Sequence, residues 1–445
     1  MTDVTLFAAL GFLFAAYAVV GNDALQTLGT FINSNSRLHW GWLFGFAGFV
    51  LVATFTYGWV INGGDPSWGR LANSDKYPAV DIQWYHTLPP LVLLVITRFG
   101  VPVSTSFMVL TVFATVAGLT SMLQKSLIGY GLAFVVGLVV YLIVTNTLEK
   151  HFRRTEISDH APWGLATGMG VLIGAAIYFL PPLITNGAVS YSLTTALVIV
   201  GLGLTIEVSS FLAGKRFGPA AYWTILQWVT TGYLWGVWLI QDFANIFVFL
   251  PRELSAVEGF AAMFAILGLL AYTFWNKGGP VQRILQAKTA VTDIRSATVI
   301  DFIYASLLFF FKEVSDIPMS TTFVFLGLIA GRELGFAIME QALSPMRALK
   351  LSVSDASKAY IGLVVSINMA VGLPLLARIL TEEGLVLSEA LPPASFQTFV
   401  LIANILLIPI SIFLARQESR PRMFTALGLL GVAAASFFIM PPVAV

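Results

Sequence analysis

The chain has no cysteine and only four histidines among its 445 residues. Disulfides, thiolate metal sites and cysteine nucleophiles are therefore excluded. His39, His86, His151 and His160 form no HExxH arrangement. Charge is also scarce: 11% of residues are Asp, Glu, Lys or Arg against 57% hydrophobic, where a soluble domain carries about a quarter charged. Such a chain belongs in a bilayer. The net charge of +1 carries no information on partners, and no nucleic-acid partner is expected. The opening MTDVTLFAALGFLFAAYAVV lacks a basic n-region and a small-residue cleavage site, so it reads as a retained first helix rather than a signal peptide.

Apolar stretches fall near 4–20, 40–61, 86–98, 103–119, 127–147, 161–181 and 188–212, then near 222–241, 257–276, 299–312, 318–338, 357–380, 396–415 and 422–441. The two sets match in order and length. In each set the third and fourth members are short and closely joined, at Gly100-Val101-Pro102 and at Asp316-Ile317-Pro318. Each pair reads as a helical hairpin with its tip inside the membrane, because a crossing needs about 20 residues. An odd number of crossings separates equivalent elements whether the hairpins span or re-enter, so the second half runs upside down. The expectation is an all-α integral membrane protein with about 12 transmembrane segments. It would be an inverted-topology repeat, with residues 1–212 as the first unit and 222–445 as the second.

Basic residues give an independent view of topology. Loops around 148–160, 213–221, 277–298 and 339–356 hold most of them, while Arg70, Lys76, Lys125, Arg252 and Arg378 fall on the other side. An excess of roughly three to one places those loops in the cytoplasm and both termini outside. This is the expected orientation in a cell (inner) membrane. The segment 62–85 is the longest polar stretch and reads as a loop.

Two segments put a carboxylate deep in apolar sequence: VVGNDALQTLGT with Asn22 and Asp23, and LIQDFANIFVFL with Gln241, Asp242 and Asn245. An ionisable group at membrane depth is costly and marks a functional site by default. One straight helix from Val4 to Phe31 would be about 42 Å long, and Gly21-Asn22-Asp23 is a poor helix interior. A mid-membrane break is expected there, and another at Gln241-Asp242. Oxygen-rich sites without cysteine suit a hard cation such as Na+. The competing structural reading is a buried carboxylate capping a helix start, with Asn22 and Asn245 as polar glue between helices.

Each acidic segment is followed by a proline and a hydroxyl cluster. VPVSTSF holds Pro102, Ser104, Thr105 and Ser106, and IPMSTTF holds Pro318, Ser320, Thr321 and Thr322. Free N–H groups and the positive dipole end at such a helix start favour an anion. Proline followed by Ser or Thr is also what any helix N-terminus looks like. Two tips facing each other from opposite sides would enclose a single anion.

These residues resemble the inorganic phosphate transporter (PiT) family, whose two repeats carry a G-x-N-D-x-x-N-[AS] signature and a P-V-S-T-T stretch. Asn22 and Asp23, preceded by Gly21, match the N-D of the first signature, with Gly29-Thr30 similar to the trailing G-T of the family, and Asp242 and Asn245 match the second. VPVSTS and IPMSTT are similar to the hydroxyl motifs, so the resemblance spans nearly the whole chain. The chain departs at Gln26 and Gln241, where Asn is usual, and at Phe107 and Phe323, where His often follows the hydroxyls. Arg98 and Lys312 near the tips also fall outside the family pattern. The chain looks like a divergent member.

The resemblance implies a cation-coupled symporter of inorganic phosphate or a similar tetrahedral oxyanion, working by alternating access. Na+ is the implied coupling ion, with H+ in some members, and no other cofactor is expected. The candidate cation ligands are Asn22, Asp23, Gln26, Thr27, Gln241, Asp242 and Asn245, with Asp23 and Asp242 the Na+ carboxylates. The candidate anion ligands are Ser104, Thr105, Ser106, Ser320, Thr321 and Thr322. A homodimer is implied by the resemblance alone, since no GxxxG motif stands out as a dimer face. Alternatives are a carrier of sulfate or another small anion, an H+-coupled version on the same scaffold, an ion channel, and an intramembrane hydrolase using two aspartates. The last lacks HExxH, G-x-S-x-G and paired-Asp motifs. Arg98 is either an anion counter-charge or a helix-end arginine snorkelling to the interface. Lys312 with Glu313 and Asp316 reads as a solvated tip or an internal ion pair, and His86 as an interfacial residue beside an aromatic belt.

Overall fold

The computed structural model describes residues 4–98, 103–144, 163–276, 293–314, 318–340, 345–381, 393–417 and 421–439. All regular structure among them is helical. In chain order the helices are α1 (Leu6–Ala18), α2 (Ala24–Ser34), α3 (Trp40–Ile61), α4 (Leu88–Arg98), α5 (Val116–Val144), α6 (Leu165–Ile184) and α7 (Leu193–Phe217). There follow α8 (Pro219–Phe247), α9 (Ala256–Trp275), α10 (Ile294–Val314), α11 (Thr321–Glu340), α12 (Pro345–Thr381), α13 (Ala394–Gln417) and α14 (Pro421–Ile439). Eight helical segments among the described residues are long and apolar enough to cross a membrane, and four shorter apolar ones accompany them. Large apolar side chains face outward: Trp42, Phe49, Leu183 and Val257 are each more than 70% exposed. In water that surface would be untenable, and in lipid it is the expected coat. The chain is a multi-pass membrane protein.

Local signals set the helix ends. Ser255 accepts from Glu258 N at 3.4 Å while Glu258 Oε2 accepts from Ser255 N at 2.9 Å, a reciprocal cap that starts α9. Ser192 Oγ accepts from Thr195 N at 3.1 Å to start α7. Between α7 and α8 the chain reverses at Gly218, whose φ of 96° only glycine adopts readily, and Pro219 is the first residue of α8.

Two expected helix breaks take different forms. At Gly21-Asn22-Asp23 the helix continues through a π-helical turn, Val19–Asp23, that joins α1 to α2. The wider hydrogen-bond ring accommodates an extra residue without unwinding the chain. At Gln241-Asp242 there is no interruption: α8 runs through both residues and ends at Phe247, just before the turn that leads to Pro251. Gln and Asp cost only a few tenths of a kcal/mol in a helix interior, and here tertiary hydrogen bonds hold both side chains. The expected stretch 103–119 is not one helix either. A short π-helical turn, Ser106–Leu110, leads into a bend, and α5 starts at Val116 and runs to Val144, taking in the described part of the stretch expected at 127–147.

The α1–α2 rod and α8 pack antiparallel. Phe12 meets Phe247 with ring centroids 5.8 Å apart, and Phe31 meets Trp228 at 5.2 Å, so the start of one rod lies against the end of the other. α8 is the most deeply enclosed element, with Trp223, Trp235 and Trp238 fully buried and Trp235 Nε1 donating to Ala47 O at 2.9 Å. Elsewhere glycines permit close helix contact. A Cβ at Gly327 or Gly331 of α11 would collide with the Tyr130 and Phe134 carbonyl oxygens of α5, and one at Gly137 with Leu328 O. The glycine pair spaced four apart on α11 thus serves an internal, parallel packing with α5 rather than a contact between chains.

Parts of the polar segment 62–85 fold down onto the helices while its residues 72–75 and 79–81 stay exposed. Asp65 accepts from Ser67 N and Gly69 N at 2.7 and 3.1 Å, Leu254 N donates to Gly64 O at 2.8 Å, and Thr115 N donates to Lys76 O at 2.9 Å. These bonds bury Arg70 and Tyr77, each 2% exposed. Burial pushes the Tyr77 phenol up from its usual pKa, with the Arg70 guanidinium opposing.

Candidate functional site

Gln241, Asp242 and Asn245 lie within about one helical turn on one side of α8, and all three are at most 1% exposed. Asn245 Nδ2 donates to Asp242 Oδ1 at 2.7 Å and to Ser106 Oγ at 3.2 Å. Ser106 Oγ in turn donates to Met319 O at 3.1 Å. Thr321 Oγ1 donates to Asp242 Oδ2 at 3.1 Å. A continuous polar chain therefore runs from the first hydroxyl segment, through the α8 amide and carboxylate, to the second. Phe107 and Phe323, one at the end of each hydroxyl motif, also meet, with ring centroids 5.5 Å apart. The structure brings the two hydroxyl segments together.

Ser104 and Ser320 have a different job. Ser104 Oγ accepts from Phe107 N at 3.2 Å and Ser320 Oγ accepts from Phe323 N at 3.1 Å. Both hydroxyls thus cap a first helical turn, the π-helical one at Ser106 and the start of α11, in the same way. Ser320 N is anchored to Ser126 Oγ at 2.9 Å. Thr105 and Thr322 are buried beside them, each 2% exposed.

The spare atoms in this cluster are oxygens. Gln241 Nε2 donates to Leu308 O at 3.1 Å, while Gln241 Oε1 and Asn245 Oδ1 are buried with no hydrogen-bond partner. An unsatisfied buried carbonyl costs about 1–3 kcal/mol. Beside a carboxylate, such oxygens form the donor set of a hard cation. The residues present therefore fit Na+. Arg70, delivered by the folded-down loop, is a positive charge within electrostatic reach of Asp242.

The first acidic segment is described less completely. The backbone of Asn22, Asp23 and Gln26 is helical, but their side chains lie outside the described residues, as do Pro102, Asp316 and the Arg98 side chain. Thr27 is fully buried on α2. Lys312 pairs with Glu313 at 2.7 Å, so it forms the internal ion pair of the two options. His86 is buried within the protein: it is 4% exposed, stacks on Phe113 at 5.0 Å and accepts from Gln83 N at 2.9 Å through Nδ1.

Arg70, Glu207 and Asp301 are buried charged residues that escape sequence reasoning. Arg70 reads in the sequence only as a loop charge. Glu207, fully buried in α7, accepts from Ala166 N at 2.7 Å and from Tyr222 OH at 3.1 Å, and so caps the start of α6. Asp301, 1% exposed on α10, accepts from Thr30 Oγ1 at 2.8 Å and from Thr231 Oγ1 at 2.7 Å. Each acid stands within a long apolar run, the same signal that singles out Asp23.

No family model matches the chain, and no curated protein matches it in sequence. Among solved structures, the fold is similar to that of a protein described as "The sodium-dependent phosphate transporter", with a TM-score of 0.55 and 15% sequence identity. The match covers 85% of this chain and 99% of that chain, so the likeness is one of whole architecture.

Proposed function

We propose that the chain is a sodium-coupled symporter of inorganic phosphate or a similar tetrahedral oxyanion. The observation that carries the reading is the hydrogen-bonded chain Ser106–Asn245–Asp242–Thr321, in which both hydroxyl segments converge on one buried carboxylate. A carboxylate alone would repel an oxyanion. A cation held by Asp242, Gln241 Oε1 and Asn245 Oδ1 reverses that sign, so each ion favours binding of the other. Arg70 adds a second positive charge near the carboxylate. Ser106, which bonds to Asn245 and to Met319 O of the opposing segment, and Thr321, which bonds to Asp242, are assigned to the anion together with Thr105 and Thr322, while Ser104 and Ser320 cap the turns that present them. Asn22, Asp23, Gln26 and Thr27 are assigned to the cation from the other half.

The antiparallel packing of the α1–α2 rod against α8 supports two inverted units, 1–212 and 222–445, rocking about this centre. The fold shared with the sodium-dependent phosphate transporter supports the same ion pair. The distribution of basic residues supports a cytoplasmic position for the loops around 148–160, 213–221, 277–298 and 339–356 and an inner-membrane location, with both termini outside. A homodimer remains part of the reading through the resemblance.

Proteoliposomes containing the purified chain test the proposal. Labelled phosphate should accumulate when sodium is imposed outside, and an imposed proton or potassium gradient should fail to replace it. Sulfate accumulating in place of phosphate would reassign the anion. Uptake indifferent to every cation gradient would contradict the coupling.

A further inference from the structure

Tyr77 carries a phenol from the loop 62–85 into the core and leaves it without a partner. The residue is 2% exposed, and its hydroxyl is buried with no hydrogen bond. A buried phenol ordinarily finds one, and Phe would fill the same space without a stranded polar group. Burial raises the phenol from its usual pKa, so it stays protonated and keeps its O–H to donate.

Two anchors fix the backbone on either side of this residue. Thr115 Oγ1 and Thr115 N donate to Asp75 O and Lys76 O, at 2.7 and 2.9 Å. Arg252 Nη2 donates to Tyr77 O at 3.5 Å. Thr115 ends the bend that follows Ser106, and Arg252 lies just past α8, which ends about 7.5 Å beyond Asp242 by the helical rise. Tyr77 is thus clamped to the continuations of the two elements that the Ser106–Asn245 bond joins. Arg70 comes in from the same loop. Asp65 accepts from Ser67 N and Gly69 N, and Trp68 and Gly69 hold φ values of 61° and 71°, a left-handed turn that Trp68 adopts only at a cost. The turn delivers Arg70, 2% exposed, and its guanidinium acts electrostatically on both Tyr77 and Asp242. A cation gains nothing from an O–H donor beside a guanidinium. An oxyanion gains from both, since the phenol donates and the guanidinium attracts.

We propose that Tyr77 and Arg70 form an oxyanion subsite on the loop side of the Asp242 cluster, in which the phenol donates to the anion and the guanidinium holds it by charge. The inference rests on the symport reading above and deepens it: anion selection is shared by a loop that lies outside both repeated motifs.

Tyr77→Phe tests it, because a purely structural role and an anion-binding role predict opposite things. Three measurements on the purified full chain are compared: inorganic phosphate binding in sodium, sodium binding without anion, and thermal unfolding without anion. Tyr77→Phe should weaken phosphate binding by about five- to tenfold. Its Tm should equal or exceed that of the wild type, because no stranded hydroxyl remains, and its anion-free sodium affinity should not change. Arg70→Lys, which keeps the charge and loses the planar fork, should weaken phosphate less than Arg70→Gln does. The same losses are expected with sulfate if sulfate is the anion that the wild type binds. Unchanged anion affinity in Tyr77→Phe or in Arg70→Gln overturns the subsite. So does a loss in Tyr77→Phe that comes with a lower Tm or with equally weakened sodium binding, since that marks a scaffold role. A wild type that binds neither phosphate nor sulfate would instead bring down the symport reading itself, and this subsite with it.

Discussion

Thr321 donates its hydroxyl to Asp242 Oδ2 at 3.1 Å, tying the start of α11 to α8 near its C-terminal end. The other carboxylate oxygen is held by Asn245, which also holds Ser106. Asp242 is therefore the side chain on which both hydroxyl segments converge. Asp242→Asn keeps the shape and removes the charge. A charge-assisted contact is worth about 1.5–3 kcal/mol, so the apparent sodium affinity in an uptake or binding assay should fall about ten- to hundredfold. Wild-type sodium dependence in this variant would detach the carboxylate from the coupling ion.

Ser106 and Ser104 should separate cleanly, although they stand two residues apart. Ser106→Ala removes the acceptor of Asn245 and the donor to Met319 O, and should weaken phosphate binding by about 1–3 kcal/mol. Ser104→Ala removes a cap on Phe107 N, and should cost about 0.5–2 kcal/mol of stability. Phosphate titration and thermal unfolding of both variants check the split. Equal loss of phosphate affinity in the two would mean that the capping hydroxyl also reaches the anion.

The Phe107–Phe323 contact joins the two segments through their rings, 5.5 Å apart. A double-mutant cycle of Phe107→Ala and Phe323→Ala should return a coupling of about 0.5–1.5 kcal/mol in unfolding measurements. Strict additivity would show that the rings fill space independently.

Glycines on α11 and α5 make a further contrast. Gly331→Ala forces a methyl against the Phe134 carbonyl and should destabilise by about 1–3 kcal/mol. Gly131→Ala meets open space on α5 and should stabilise by about 0.5–1 kcal/mol. Thermal unfolding in detergent distinguishes them. The reverse order would contradict the close approach of the two helices.

The membrane class and most helix positions are legible because long apolar runs leave little else to form. Asp242, Asn245, Ser106 and Thr321 are legible because polar atoms in such runs stand out and recur. Helix continuity is not. Gln241 and Asp242 look like a break in one dimension, and only the bonds to Leu308 O and Thr321 explain why α8 runs through them. The bend before Val116 is hidden as well, since 103–119 is apolar whether it is a helix or a turn. Arg70 reads as solvent-facing because its neighbours are polar, yet the loop that carries it is pinned by Asp65 and by the Gly64–Leu254 bond. Asp301 escapes notice for want of a repeated partner.

Calorimetry of phosphate binding to the purified chain, in sodium and in choline, most directly tests the shared cation–anion site. The account predicts that sodium raises phosphate affinity, that phosphate raises sodium affinity by the same factor, and that Asp242→Asn erases both effects. Phosphate binding of equal strength in sodium and in choline would contradict it.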